Sequence, residues 1–360
     1  MAQSTGRPVV PMKGRKKHLR DDDLFACTFT DGKTYKVSWK DVKNLFVDKP
    51  SVWHIKDLTG GDLPVRNVDA VFDMAGNQLS EFAASFTIKS GQEVLVIGSD
   101  VRFNNRGQET SCNWNFGDQT DTKNQTMWDD MFCHNWKFNG DIQHINVTEK
   151  AFNLQYIFDG CYSFNQPVSH FNAVNVNTVR AAFQCYASTY DNHAMTQDIK
   201  WNTANCQTFN LLLNEARNFN GSLELNFSSA VNVSGLCGNA NSFVGNGLEK
   251  CVPPTSKCVN FQGMFNQCQA LAAIQADFST WDVSGAEKMA SMFSSCYPFT
   301  NRTIEQWRTP NCLEMNYMFY GCGNAVIDLR GWCVPKIPDK PLNFNAFAGR
   351  IIPPVWGTCP

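Results

Sequence analysis

One feature constrains this chain more than any other. A hydrophobic landmark recurs through the C-terminal two thirds at intervals of 24 to 30 residues. It stands at Phe132, Phe158, Phe183, Leu213, Cys237, Phe265, Phe293, Phe319 and Phe347, so successive spacings are 26, 25, 30, 24, 28, 28, 26 and 28. A unit this short cannot bury its own apolar face. It gains a core only when neighbouring copies stack and each position becomes a continuous column.

The best copy is Trp281–Thr300, WDVSGAEKMASMFSSCYPFT. With the landmark Phe293 as position 0, it carries Trp281 at −12, Met292 at −1, Cys296 at +3 and Phe299 at +6. The other copies repeat these columns: Trp201 and Trp307 at −12, Phe138, Phe164 and Phe219 at +6, Cys161, Cys268 and Cys322 at +3. The expected repeat core is therefore Phe132, Phe158, Phe183, Leu213, Phe265, Trp281, Met292, Phe293, Cys296, Phe299, Trp307 and Phe319. Spacings of three and four within Met-x-x-Met-Phe are those of a helix face, so each of about nine coils is expected to hold a short strand and a helical turn. Asn and Asp near the corners can hydrogen-bond exposed backbone.

Cysteine is abundant, with 15 residues. The column arrangement makes small buried thiols the plain reading, and disulfides between adjacent coils are possible where the geometry suits. No C-x-x-C occurs and the six His are scattered, so no paired zinc site can be written. P-loop, G-x-G-x-x-G, H-E-x-x-H and G-x-S-x-G patterns are missing from the sequence. The expectation is a non-enzyme with no catalytic residue, metal or cofactor. Charged residues are 18% of the chain with a net charge of −2, which favours neither nucleic acid nor anionic membrane. The opening MAQSTGRPVVPMKGRKKHLRDDD has no apolar leader core and no run of apolar residues is long enough to span a bilayer.

Residues 1–22 read as a flexible basic arm. In residues 23–46, two β-prone runs flank Asp31-Gly32, the signal of a hairpin, and Lys40–Phe46 reads as a short helix. Residues 47–120 alternate apolar and polar in several runs and are expected to form a small sandwich-like β domain. Residues 121–350 are the repeat, and the Pro-rich 351–360 a cap against strand addition.

Two family resemblances follow. The consensus Trp-Asp-x-Ser-x-Val-x-x-Met-x-x-Met-Phe-x-x-Cys-x-x-Phe-Asn resembles the roughly 26-residue repeat of BspA-like leucine-rich-repeat surface proteins, found also in mycoplasma lipoproteins. That resemblance implies a leucine-rich-repeat-like solenoid with roles in adhesion or binding and no fixed catalytic residues. Asp23-Leu24-Phe25 and Thr34-Tyr35-Lys36-Val37-Ser38 resemble the N-terminal module of tailed-phage (cyanophage) virion structural proteins. It implies attachment to a particle through Asp23, Leu24, Phe25, Tyr35, Lys36 and Val37. Together these imply a virion appendage (tail, fibre or capsid decoration) for host attachment, assembled in the host cytoplasm. Its partners would be other virion proteins, further copies of itself, and a host surface protein or glycan. The alternative is a cell-surface adhesin, and a glycan-degrading appendage is the third reading.

Overall fold

The computed structural model describes residues 24–28, 34–38, 50–104, 109–185, 194–271 and 278–360. The chain divides into two compact units, one of residues 1–126 with 134–150, the other of 127–133 with 151–360.

In the first unit, β1 (Leu24–Thr28) and β2 (Thr34–Ser38) pair antiparallel, with Phe25 opposite Val37, Ala26 opposite Lys36 and Cys27 opposite Tyr35. Asp23 and the segment expected to be helical, Lys40–Phe46, lie outside the described residues. The strands β3 (Ser51–Thr59), β4 (Leu63–Asp73), β5 (Gln78–Ile88), β6 (Val94–Gly98) and β7 (Asn113–Phe116) make one antiparallel sheet in the order β5-β4-β6-β3-β7. This is one sheet rather than the two facing sheets of a sandwich. Its central strand β6, Val-Leu-Val-Ile-Gly, is buried throughout, as an all-apolar run requires. Aromatic rings cover one face: Trp53 meets Phe103 edge-on at 5.1 Å, and Trp114 lies 4.3 Å from Phe138.

Contacts at the repeat interval already run through this unit. Asn113 and Asn115 use their side-chain oxygens to accept the amides of Asn139 and Asp141, each 26 residues on. Thr122 and Asn146 exchange two hydrogen bonds across an interval of 24.

The second unit corrects the expected fold class. The leucine-rich-repeat-like solenoid, with a strand and a helical turn in each coil, does not form. No α-helix is present among the described residues, only short 3₁₀ segments at Leu248–Lys250, Phe278–Thr280 and Thr303–Gln306. The chain's long strands belong to the antiparallel sheet of the first unit. Here regular pairing shrinks to β8 (Ile199–Lys200) with β9 (Leu223–Glu224) and β10 (Val326–Asp328) with β11 (Arg350–Ile352), plus single-residue bridges such as Asn232 with Asn260 and Lys288 with Glu314.

The segment that looked helical is a chain of β-turns. Its hydrogen bonds run i to i+3: Met292 N–H to Met289 O, Ser294 N–H to Ser291 O, Cys296 N–H to Phe293 O. Left-handed residues at positions −2 and +2 interrupt any helix, for example Ser291 (φ 57°) and Ser295 (φ 59°). A left-handed third residue is the signature of a type II turn. Turns and helices both place every third or fourth residue on one face, so periodicity alone could not separate them.

Alternate amides then point to the next coil. Positions −4, −2, 0 and +2 of one coil donate to −5, −3, −1 and +1 of its successor, as in Met289 to Glu314, Ser291 to Asn316, Phe293 to Met318 and Ser295 to Tyr320. This satisfies the backbone that burial would otherwise strand.

Each expected core residue is buried: Phe132, Phe158, Phe183, Leu213, Phe265, Trp281, Met292, Phe293, Cys296, Phe299, Trp307 and Phe319. The landmark rings stack, with Phe132 on Phe158 at 5.1 Å and Phe293 on Phe319 at 5.6 Å. The last landmark is a correction. Phe319 donates its amide to Phe344 O and Gly321 to Ala346 O, which puts Asn345 at position 0. Phe344 is fully buried, whereas Phe347 is 78% exposed. Two Phe three residues apart fit the spacing equally well, and the ladder makes neither the landmark: it sets Phe344 at −1 and Phe347 at +2.

Candidate functional site

Each thiol of the +3 column has a structural partner. Cys161, Cys268, Cys296 and Cys322 lie 2.9 to 3.0 Å from the landmark carbonyl of the preceding coil, that of Phe132, Cys237, Phe265 and Phe293. The S–H donates and the carbonyl accepts. Burial pushes the thiols up: Cys322, like Cys206, Cys258 and Cys312 of the −7 column, reaches about 12, and Cys268 and Cys296 are raised well above the ordinary value. Thiols held protonated this firmly are poor nucleophiles and poor metal ligands. One disulfide occurs among the described residues, Cys333–Cys359, tying the chain end one repeat interval back.

Several charged groups of the second unit form ion pairs on the outside. Lys200 bridges Asp198 at 2.8 Å and Glu224 at 3.3 Å, and the hydrogen bond from Lys200 holds the Asp198 carboxyl below the usual range. Arg330 does the same for Asp328, lowering it to about 2. Exposed pairs like these contribute little stability.

The surface feature that stands apart is a groove across consecutive coils. The −2 column presents Tyr156, Ala181, Leu211, Gly235, Gly263, Ser291 and Tyr317. All are left-handed, and all but two carry a side chain. Where Gly235 and Gly263 succeed each other, the column loses its side chains and a cavity of about 380 Å³ opens. Leu211 closes one end and Ser291 the other. Asn214, Gly238 and Asn266 at +1, with Ser234 and Gln262 at −3, complete the lining. None of these residues is ionisable. The floor is backbone already committed to the ladder, since Gly235 donates to Gln262 O and Gly263 to Ala290 O, each at 2.9 Å. The groove can therefore offer side-chain amides and hydroxyls, and little unpaired main chain.

A family model described as "Mycoplasma protein of unknown function, DUF285" matches residues 103–194, 188–251 and 252–348. The chain belongs to this family. The DUF285 match agrees with the resemblance of the repeat to the BspA-like and mycoplasma type, and it begins near where repeat-interval contacts first appear. It leaves out residues 23–38, so the phage-like resemblance of the N-terminal segment gains no support. No curated protein and no solved structure matches the chain.

Sequence reasoning did not single out the groove residues. A signal was present, because consecutive glycines in one column stand out once the column is aligned. Position −2 was not read as a column because its members, Tyr, Leu, Gly and Ser, share no hydrophobicity. The hairpin residues Leu24, Phe25, Tyr35, Lys36 and Val37 fall in β1 and β2, in the first unit, and the groove lies in the second.

Proposed function

We propose that this DUF285 chain is a non-enzymatic cell-surface binding protein that displays its stacked turns toward a ligand. The observation carrying the surface location is the Cys333–Cys359 disulfide. Disulfides persist where the surroundings are oxidising. Family membership supports the same reading, because the repeat resembles that of surface proteins. Binding rather than turnover is supported by the disposition of reactive groups: the column thiols are buried and protonated, and Asp198 and Asp328 are tied in ion pairs to Lys200 and Arg330.

The virion reading, with Asp23, Leu24, Phe25, Tyr35, Lys36 and Val37 gripping other virion proteins and copies assembling on a particle, rests on the N-terminal resemblance alone. The cell-surface alternative has the family match behind it and is preferred.

The test is labelling of intact producing cells with a membrane-impermeant amine reagent, combined with thiol mapping. Labelling before lysis and an oxidised Cys333–Cys359 pair are the expected result. Labelling confined to lysed cells would refute the surface location.

A further inference from the structure

We propose that the groove over Gly235 and Gly263 binds an uncharged oligosaccharide, with Tyr317, Tyr320 and Phe347 as its stacking platform. The proposal names the ligand class of the binding role advanced above and rests on it.

Three independent observations converge. The groove has the size of a small-ligand site, about 380 Å³. Its polar side chains are available: Asn214, Gln262 and Asn266 make no side-chain hydrogen bond to the described residues, and each amide offers both donors and an acceptor. Aromatic rings continue its line. Ser291, at the end of the groove, donates to Asn316 O at 2.9 Å, which sets Tyr317 in the next place of the same column. Tyr317 and Tyr320 lie 5.8 Å apart, and Tyr320 meets the exposed ring of Phe347 edge-on at 5.4 Å.

The chemistry selects the ligand. A sugar ring has hydroxyls around its rim and C–H groups on its faces. The rim suits amides and hydroxyls that both donate and accept, and the faces suit exposed aromatic rings. An acidic glycan or a phosphate is disfavoured, since no cation lines the groove. A peptide strand is disfavoured too. Strand addition needs unpaired backbone, and here the amides of Gly235, Gly263 and Ser291 are already donated to the next coil.

Of the two glycines, Gly235 lies against the Leu211 side chain, where a Cβ would meet Cδ2 at 2.7 Å, whereas Gly263 stands where a side chain could be carried. Leu211 (φ 62°) and Tyr317 (φ 59°) hold the same left-handed place with side chains. A Cβ on Gly263 would come no closer than 3.7 Å to a neighbour, Asn266. Gly263→Tyr thus copies the Tyr317 arrangement and fills the groove.

The experiment is titration calorimetry on the purified full chain with cellohexaose, chitohexaose, a high-mannose glycan and, as the acidic control, a heparin hexasaccharide. A free polysaccharide and a glycoprotein glycan share the chemistry, and the first two probes separate from the third accordingly. The expected result is binding of at least one neutral probe at about 1 mM or tighter, weakened at least tenfold by Asn266→Ala and by Gly263→Tyr. If Gly263→Tyr fails to fold, Asn266→Ala, which removes no hydrogen bond to the described residues, decides alone. The proposal is overturned if no neutral probe binds, if binding survives Asn266→Ala undiminished, or if heparin alone binds. Because the protein is purified, failure here leaves the surface location untouched, and failure of cell labelling leaves this result untouched.

Discussion

The thiol of Cys296 donates to the carbonyl oxygen of Phe265 in the preceding coil, 2.9 Å away. The same oxygen accepts the amide of Cys268 at 3.1 Å. The carbonyls of Cys237 and Phe293 likewise close one turn within their coil and receive a thiol from the next. Cys296→Ala keeps the turn and loses the link between coils. It is expected to cost about 1 to 2 kcal/mol, combining a lost hydrogen bond with a small void. Guanidinium unfolding of the two proteins measures this.

The raised thiols give a pH signature. The folded-state value of Cys322 is about 12 against an ordinary 9.0. A group whose folded value is raised contributes its full stability below the unfolded value and loses it as pH rises. Stability should therefore be flat to about pH 9 and then fall with up to about 1.4 kcal/mol per pH unit for each such thiol. Chemical unfolding at stepped pH values between neutral and strongly alkaline tests the direction. At pH 8 the column cysteines should resist iodoacetamide in the native protein and react once it is unfolded.

Ser295 stands in a left-handed column position that Gly160 and Gly321 also occupy. Its conformation strains a side chain by roughly 1 to 2 kcal/mol, part of which glycine's greater unfolded freedom offsets. Ser295→Gly should raise stability by about 0.5 to 1 kcal/mol, and Ser295→Val should lower it, both read from thermal melts.

How far the fold was legible in the sequence follows from such positions. The columns of Phe, Trp, Met and Cys were visible because burial repeats chemistry. The backbone between them was not, since Ser291, Leu211, Gly263 and Tyr317 share a conformation and no composition. That is why Met289, Met292 and Phe293 read as one helix face when they are residues of successive turns. The same blindness hid the groove, which is defined by side chains missing from a column never suspected. The disulfide was open as a possibility, and which two thiols join, Cys333 and Cys359, came only with the structure.

Cys333 and Cys359 close a loop at 26 residues' separation. The bond should contribute about 3 kcal/mol through the unfolded state. Cys359→Ser and wild type under reductant should melt alike, and both below oxidised wild type.

Trp307 sends its indole N–H to Phe278 O at 2.7 Å, as Trp332 does to Ile304 O at 2.8 Å. Trp307→Phe keeps an aromatic ring in the column but loses that donor and some volume. A loss of about 2 kcal/mol is expected in denaturant unfolding.

The register of the stacked turns underlies the groove, the thiol links and the corrected last landmark alike. It is tested most directly at Lys288 and Glu314, two exposed residues that bridge neighbouring coils. Bridge partners lie within disulfide reach, whereas residues offset along the coil point elsewhere. The Lys288→Cys, Glu314→Cys double variant is expected to form an intramolecular disulfide under mild oxidation of the folded protein, found by peptide mass mapping. The offset control Lys288→Cys, Leu313→Cys should not. Cross-linking of the control in preference to the bridged pair would contradict the register and the groove built on it.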